Sequence, residues 1–138
     1  QKDYQQAIIV KRMTRDLNWN IDIVLGATVR ESDGLAMSSR NANLNKKERD
    51  SAPILYKALC SGQRAIVDGE RSATQVQNIV CAIIKEKLTD QIDYVEVVET
   101  ETLESVKYIE DSVVITAAVR MSKVRLIDNI MILRSDWI

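Results

Sequence analysis

The segment that follows Ser72 constrains the fold of this chain more than any other part of the sequence. Ser72 is followed three residues later by Gln75, and this spacing is typical of a capping box, which satisfies free backbone N–H groups at a helix start. Apolar side chains then recur at helical spacing; they are Val76, Ile79, Val80, Ile83, Ile84 and Leu88. The pattern predicts an amphipathic helix over residues 73–88. Because such a helix must bury its apolar face, a second layer has to pack against it.

Three apolar runs near the end of the chain are the candidates for that layer. Residues 93–99, 113–121 and 124–133 are strand-like, and the pair Ser122-Lys123 between the last two is typical of a hairpin. Residues 103–106 are expected to form a short turn of helix. Hydrophobic residues make up 46% of the chain, which supports a real core.

A further helical segment precedes Ser72. Asn45 and Glu48 have the spacing of an N-cap residue and its reciprocal partner. Pro53 either interrupts the helix that starts there or restarts it, and the helical pattern continues to about Val67. The whole pattern predicts an α+β domain with two main helices and a small, mostly antiparallel three-stranded sheet.

The first 28 residues follow another pattern. Residues 4–17 predict a helix with Asp3 as its N-cap. One face of this helix carries Gln6 and a set of apolar side chains, Ile9, Val10, Met13 and Leu17. Residues 21–25 are nearly all apolar, which predicts a strand covered on both faces. A helix followed by a buried strand is typical of the end of an α/β unit.

A long polar connection over residues 26–45 contains the first candidate site. Loops of this length inside compact domains are often functional. Ser38 and Ser39 offer two hydroxyl groups, and the guanidinium of Arg40 can form a forked pair with phosphate oxygens. The same residues are also common in ordinary polar loops, so the local pattern alone leaves both interpretations open.

The first turn of the chain contains the second candidate site. Lys2 precedes a predicted helix, where its charge could meet a phosphate at the positive helix end, or it could be a solvated terminal charge. Gln6 could bind a ligand carboxylate or hydroxyl, or it could be an exposed first-turn side chain.

Four motifs occur in order along the chain: KDYQQ at residues 2–6, RMTRDL at 12–17, TVRESDGLAMSSRN at 28–41 and VRLIDN at 124–129. Taken together, they resemble the pantoate–β-alanine ligase family. The motifs are specific and span nearly the whole chain, but they cover only the second half of the family's usual length. The resemblance implies that residues 1–28 end an N-terminal nucleotide-binding domain of Rossmann-like type and that residues 29–138 form a C-terminal lid domain. We call the longer protein the parent protein.

The resemblance also implies a role for each candidate residue. ATP contacts are expected from Lys2, Asp3, Val29, Met37, Ser38, Ser39 and Arg40, with Val29 on the adenine side. Within that set, catalytic roles are implied for Lys2, Ser38, Ser39 and Arg40. Gln6 is expected to bind pantoate.

The activity that the resemblance implies is an ATP-dependent ligation in two steps. ATP and pantoate give pantoyl adenylate and pyrophosphate, and β-alanine then attacks the acyl carbon to give pantothenate and AMP, with Mg²⁺ assisting the phosphates. This piece is expected to be inactive alone, because the missing half would hold most of the pantoate pocket. The parent is expected to be a homodimer through that half, and this piece could be a monomer. The alternatives are a non-catalytic binding or structural module that keeps the lid fold, and a fragment of another nucleotidyltransferase such as an aminoacyl-tRNA synthetase.

Composition argues against several other classes of protein. A net charge of −1 gives no reason to expect nucleic acid, and no apolar run approaches the ~20 residues that span a bilayer. Histidine is absent, and the carboxylates Asp90, Asp93, Glu96 and Glu99 lack metal-loop spacing, so no protein-held metal is expected. Cys60 and Cys81 are interpreted as small buried apolar residues in a reducing compartment, the cytoplasm.

Charged residues on the last two strands are interpreted as structural. Arg120, Lys123 and Arg125 are expected to form a solvated edge that discourages pairing with other strands. Asp128 is expected to serve a turn or an ion pair.

Overall fold

The structure, a computed structural model, describes residues 1–88 and 91–137. The helices are α1 (Tyr4–Asp16), α2 (Lys46–Ser51), α3 (Ile54–Val67) and α4 (Ala73–Lys85), and the strands are β1 (Ile92–Glu99), β2 (Val113–Met121) and β3 (Val124–Ile132). Two short 3-10 helices cover Ser39–Asn43 and Arg134–Asp136. The predicted α+β architecture is confirmed. Asp90 lies outside the described residues.

The three strands form one antiparallel sheet in the order β1-β2-β3. Ser122 and Lys123 make the predicted two-residue hairpin loop, with Met121 opposite Val124. Ser122 has a φ of +51°, as the first central residue of the turns that match strand twist requires. Because the strand order places β3 beside β2 alone, β3 is an edge strand of this sheet.

Helices α3 and α4 cover one face of this sheet and enclose the core. Leu59, Ile66 and Ile84 on the helices and Ile115 on β2 are fully buried. Gly62 lets the layers approach, because a Cβ there would lie 2.7 Å from Val80 and 2.8 Å from Ile115. A full capping box forms at Asn45. Of the box predicted at Ser72, the half in which the hydroxyl accepts from the Gln75 N–H forms, without the reciprocal bond from the Gln75 side chain. Pro53 restarts the helix rather than bending it.

Helix α1 packs on the opposite face of the sheet through one edge only. Tyr4 and Ile8 are buried against Val98 and Val114, and the Tyr4 hydroxyl donates to the Thr100 carbonyl at 2.7 Å. The apolar face predicted for this helix is not the buried one: Ile9, Met13 and Leu17 are 55%, 45% and 52% exposed. The reason is that no described part of the chain covers them.

Two further expectations are wrong. Residues 21–25 pair with no strand among the described residues, and Val24 is 87% exposed, because an apolar run forms a strand only where a neighbouring strand receives its hydrogen bonds. Residues 103–106 are not helical; Leu103 has a φ of +62° and Ser105 bridges to Val98. Each helix in the described ranges is too short or too polar to cross a lipid bilayer.

Candidate functional site

Residues 29–37 form a small hairpin inside the long polar connection. Arg30 bridges to Ala36, the Glu31 N–H donates to the Leu35 carbonyl at 2.8 Å, and the Met37 N–H donates to the Val29 carbonyl at 2.9 Å. Gly34 turns the chain with a φ of +94°. The pairing places Val29 and Met37 side by side at the base of the hairpin.

The side chain of Arg30 fastens this hairpin to the rest of the molecule. Its guanidinium makes a two-pronged ion pair with Asp128 on β3, at 2.6 and 3.0 Å, and donates to the Gly34 carbonyl at 3.1 Å. It also lies 3.8 Å from the ring centre of Tyr56 on α3. Such a planar, forked pair is stronger and more directional than a contact to lysine.

Burial and charge act in opposite directions on this pair. Burial lowers the pKa of Arg30, but the hydrogen bond and negative charge of Asp128 outweigh it, so that the pKa of Arg30 is raised. The Asp128 side chain is 3% exposed. The predicted ion-pair role of Asp128 is thereby confirmed.

Asn129, the next residue of β3, holds the start of the chain. Its amide donates to the backbone carbonyls of Gln1 and Lys2 at 2.8 and 2.9 Å. Asp3 follows at the N-cap position of α1, where its side chain makes no capping hydrogen bond. The predicted N-cap position is therefore confirmed, but the Asp3 side chain does not cap the helix.

An open groove of about 660 Å³ lies between these two segments. Six of the eight candidate residues line it, and they are Lys2, Asp3, Gln6, Val29, Met37 and Ser38. Its volume is in the range of small-molecule and cofactor pockets. Residues more than 20 positions apart in the sequence are thus brought to one surface.

Arg40 and Ser39 lie beside this groove. The Ser38 hydroxyl accepts from the Arg40 N–H at 3.3 Å and begins the Ser39–Asn43 helix. Ser38, Arg40 and Lys2 also line a crevice of about 10 Å³ next to Asp128, room for at most one water molecule. Ser39 is exposed and lines neither space in the described part of the chain.

A second cavity, of about 350 Å³, lies on the other side of the Lys2–Gln6 turn, against the sheet. Lys2, Asp3 and Gln6 line it together with side chains from all three strands, Tyr94, Glu96, Thr116 and Asn129 among them. The turn at the start of α1 therefore contributes to both spaces.

The arrangement is chemically suited to an anion. Lys2 and Arg40 supply two positive charges on neighbouring segments, and Ser38 supplies a hydroxyl donor beside them. The exposed Ser39 follows Ser38 directly in the sequence. Within residues 1–88 and 91–137, no three Cys, Asp or Glu side chains converge as metal ligands.

The sequence did not show which partners three residues of the site contact. Arg30 lies inside a motif, but its partner Asp128 is 98 positions away. Asn129 contacts the first two residues across almost the whole chain. Arg120 and Arg125 are exposed, as expected, and they also pair with Asp93 on β1 at 2.6 and 2.7 Å. Cys60 and Cys81 are free and only half-buried.

Comparison with known proteins gives one consistent result. The family model described as pantoate-beta-alanine ligase matches residues 1–131. Pantothenate synthetases of Clostridium botulinum and Enterococcus faecalis are 45% and 47% identical over 129 residues, which is 94% of this chain and 46% of each relative. The chain therefore spans about half the length of the relatives it matches.

Solved structures agree with the sequence relatives. The pantothenate synthetase of Thermus thermophilus superposes with a TM-score of 0.88 at 36% identity, over 94% of this chain and 46% of that one. A pantoate-beta-alanine ligase from Francisella tularensis, described as complexed with beta-gamma ATP and beta-alanine, superposes with a TM-score of 0.59 at 25% identity over 94% of this chain and 41% of that chain.

Proposed function

The chain belongs to the pantoate–β-alanine ligase family, and from that premise we propose that it is the C-terminal part of an ATP-dependent ligase that joins pantoate to β-alanine. The observation that carries the proposal is the groove in which Lys2, Asp3 and Gln6 face Val29, Met37 and Ser38. Residues 1–28 are proposed to complete a nucleotide-binding domain whose remainder lies in the missing half of the parent, and residues 29–138 to form its lid.

The proposed reaction has two balanced steps. A carboxylate oxygen of pantoate attacks the α-phosphorus of ATP, the bond to the β-phosphate oxygen breaks, and pyrophosphate leaves. The amine of β-alanine then attacks the acyl carbon of the adenylate, AMP leaves with the former acyl–oxygen bond electrons, and the amine loses a proton. No protein nucleophile takes part, so the chain's contribution is positioning and charge stabilisation.

Each candidate residue is assigned a part in that scheme. Lys2 and Arg40 are proposed to neutralise phosphate charge, with hydroxyl contacts from Ser38 and Ser39. Val29 and Met37 are apolar and exposed, which suits them to pack against the adenine ring. Asp3 is proposed to contact the nucleotide and Gln6 the pantoate.

Magnesium is assigned no site of its own. No cluster of metal ligands is found in residues 1–88 and 91–137, which the structure describes. Mg²⁺ is therefore proposed to enter the groove bound to the ATP phosphates. A homodimeric parent in the cytoplasm is also proposed; the two free thiols, Cys60 and Cys81, are compatible with a reducing compartment.

The direct test is AMP release by the full-length parent with pantoate, β-alanine, ATP and Mg²⁺, with the 138-residue chain alone as the control. Release that needs both pantoate and β-alanine, together with a silent control, is the expected result. A silent parent would leave the family's fold without its chemistry and would favour the binding module instead. Activity of the short chain alone would disprove the proposed division of labour.

The assignment of Arg40 can be tested separately in the parent. Removing a preorganised cation from a developing charge costs roughly 100–1,000-fold in rate, so Arg40→Ala is expected to lower kcat for adenylate formation by about that factor. Lys47→Ala on α2 is the control, because it also removes one exposed positive charge from the same domain. Equal effects of the two variants would show that only overall charge matters.

A further inference from the structure

Two neighbouring residues of β3 connect the two segments that form the groove. The N-terminal turn (residues 1–3) carries Lys2 and Asp3, and the 29–40 segment carries Val29, Ser38 and Arg40. The segments are separated in sequence, and their relative placement is a tertiary property.

The first connection runs through Asp128. Its two carboxylate oxygens accept from the two terminal nitrogens of Arg30 at 2.6 and 3.0 Å, and one of them also accepts from the Asn129 N–H at 2.8 Å. Arg30 is at the base of the hairpin, one residue from Val29, and stacks on Tyr56. This first connection, or arm, therefore fixes the hairpin base against β3 and α3.

The second connection runs through Asn129. Its side-chain amide donates to the carbonyls of both Gln1 and Lys2, so it fixes the backbone from which the Lys2 side chain projects. Asn129 is 6% exposed and Asp128 3%. Both sets of hydrogen bonds are therefore part-buried, with the β3 partner shielded from solvent in each.

The strand explains why adjacent residues serve different segments. Successive side chains of a β-strand point to opposite faces of the sheet, so Asp128 reaches the α3 side and Asn129 the α1 side. The backbone of β3 is held to β2 over its whole length, from Val113 opposite Ile132 to Met121 opposite Val124. One rigid dipeptide is thus the common support of both segments.

We propose that Asp128 and Asn129 are positioning residues that set the distance between the N-terminal turn and the 29–40 segment, and so the geometry in which ATP is held and activated. The inference rests on the proposed function. Lys2 and Arg40 act on the same polyphosphate only if both segments keep their places, and a displacement of about 1 Å can cost about 100-fold in rate.

The test uses three substitutions that preserve side-chain shape in the full-length parent. Asp128→Asn removes the charge that holds Arg30, and Asn129→Asp turns the donor that faces the Gln1 and Lys2 carbonyls into an acceptor. Asp93→Asn is the matched control, because Asp93 also pairs with arginine at 2.6 and 2.7 Å but lies on β1 outside the groove. The KM for ATP and the KM for pantoate are measured for each variant, together with a thermal melt.

The two arms predict different kinetic patterns. Asp128→Asn is expected to raise the KM for ATP at least tenfold and to leave the KM for pantoate within twofold, because Gln6 lies on α1 and outside the 29–40 segment. Asn129→Asp is expected to raise both constants at least tenfold, because the N-terminal turn that carries Lys2 leads directly into the first turn of α1, which carries Gln6. Asp93→Asn should leave both within twofold. If Asp128→Asn does not fold, Arg30→Lys tests the same arm, since it keeps the charge and loses the fork.

A purely structural role predicts another outcome. If Asp128→Asn and Asn129→Asp lower the melting temperature but match Asp93→Asn in both KM values, the positioning role is overturned while the proposed function stands. If the unsubstituted parent makes no AMP, the proposed function fails, and calorimetric titration with ATP decides the inference. At least tenfold weaker ATP binding in both variants, but not in the control, would support positioning, and unchanged or absent binding would overturn it.

Discussion

Residues 1–28 and residues 29–137 differ in how far their apolar side chains are buried. In the second region Leu59 and Ile66 are fully buried between helices and sheet, whereas in the first Leu17 is 52% exposed and Val24 87% exposed. Both regions have apolar residues at regular spacing in the sequence. The difference is that the second region contains both layers of its core, whereas no described part of the chain covers these side chains of the first region.

This contrast shows what an apolar pattern specifies. It identifies the face of an element that avoids water, and it does not identify what covers that face. Because the relatives are about twice as long as this chain, we propose that the missing half of the parent covers Ile9, Met13, Leu17 and the residues that follow.

One pair of substitutions in the 138-residue chain tests the difference in burial most directly. Leu59→Ala leaves a cavity in a closed core and is expected to lower the free energy of unfolding by about 2–5 kcal/mol. Leu17→Ala removes the same atoms from an exposed site, where changes usually stay within about 0.5 kcal/mol. Urea denaturation measures both. Similar losses for the two variants would mean that α1 is buried in a way the structure does not show.

The second prediction asks whether the missing half covers α1. Met13→Lys is expected to destabilise the full-length parent by about 2 kcal/mol or more, since a fully buried Met side chain contributes about 1.5–3 kcal/mol relative to exposure. In the 138-residue chain the same change should stay within about 0.5 kcal/mol. The comparison of the two denaturation midpoints is the measurement. An unaffected parent would mean that this face remains in water there too.

How much of the molecule could be predicted follows the same division. Helix α4 and the β2–β3 hairpin were predictable because their signals are local: a Ser72 cap, a regular stripe and a two-residue turn. The strand at residues 21–25 was not, because a strand depends on a partner that the described chain lacks. The groove could be expected only from the motifs, since the contacts that build it, Arg30 to Asp128 and Asn129 to Lys2, link opposite ends of the sequence.

A glycine in each region gives the third prediction. Gly34 has a φ of +94°, and a Cβ there would lie 2.5 Å from a Tyr56 ring carbon, so Gly34→Ala is expected to cost about 1–2 kcal/mol from backbone strain alone. A Cβ added at Gly26 would meet no atom within 4 Å, and Gly26 has no positive φ. Gly26→Ala should therefore be neutral or slightly stabilising. Thermal melts of the two variants measure this difference. Equal melting temperatures would show that the hairpin accommodates a Cβ at residue 34 without loss of stability.

The smallest expected effect concerns an ion pair in each region. Hydrogen bonds from Arg120, the larger contribution, and from Arg125 hold the pKa of Asp93 below its usual value. A carboxylate with a lowered folded-state pKa stabilises the fold above the unfolded pKa of about 4 and loses that contribution as pH falls further. Asp93→Asn should therefore be less stable than the unsubstituted chain at pH 7, and the gap should narrow below about pH 4.

The difference between variants is the quantity to follow, because the pKa of Asp33, beside Arg49, is lowered as well and the whole fold loses stability in acid. The control is Asp16→Asn in the first region, where the Arg15–Asp16 pair is 3.4 Å long and largely exposed. Such pairs contribute little, so its urea midpoint should match that of the unsubstituted chain at pH 7 and at pH 3. A gap for Asp93→Asn that persists unchanged at pH 3 would assign its effect to packing. The charge of the Asp93 carboxylate would then make no contribution to the stability of the fold.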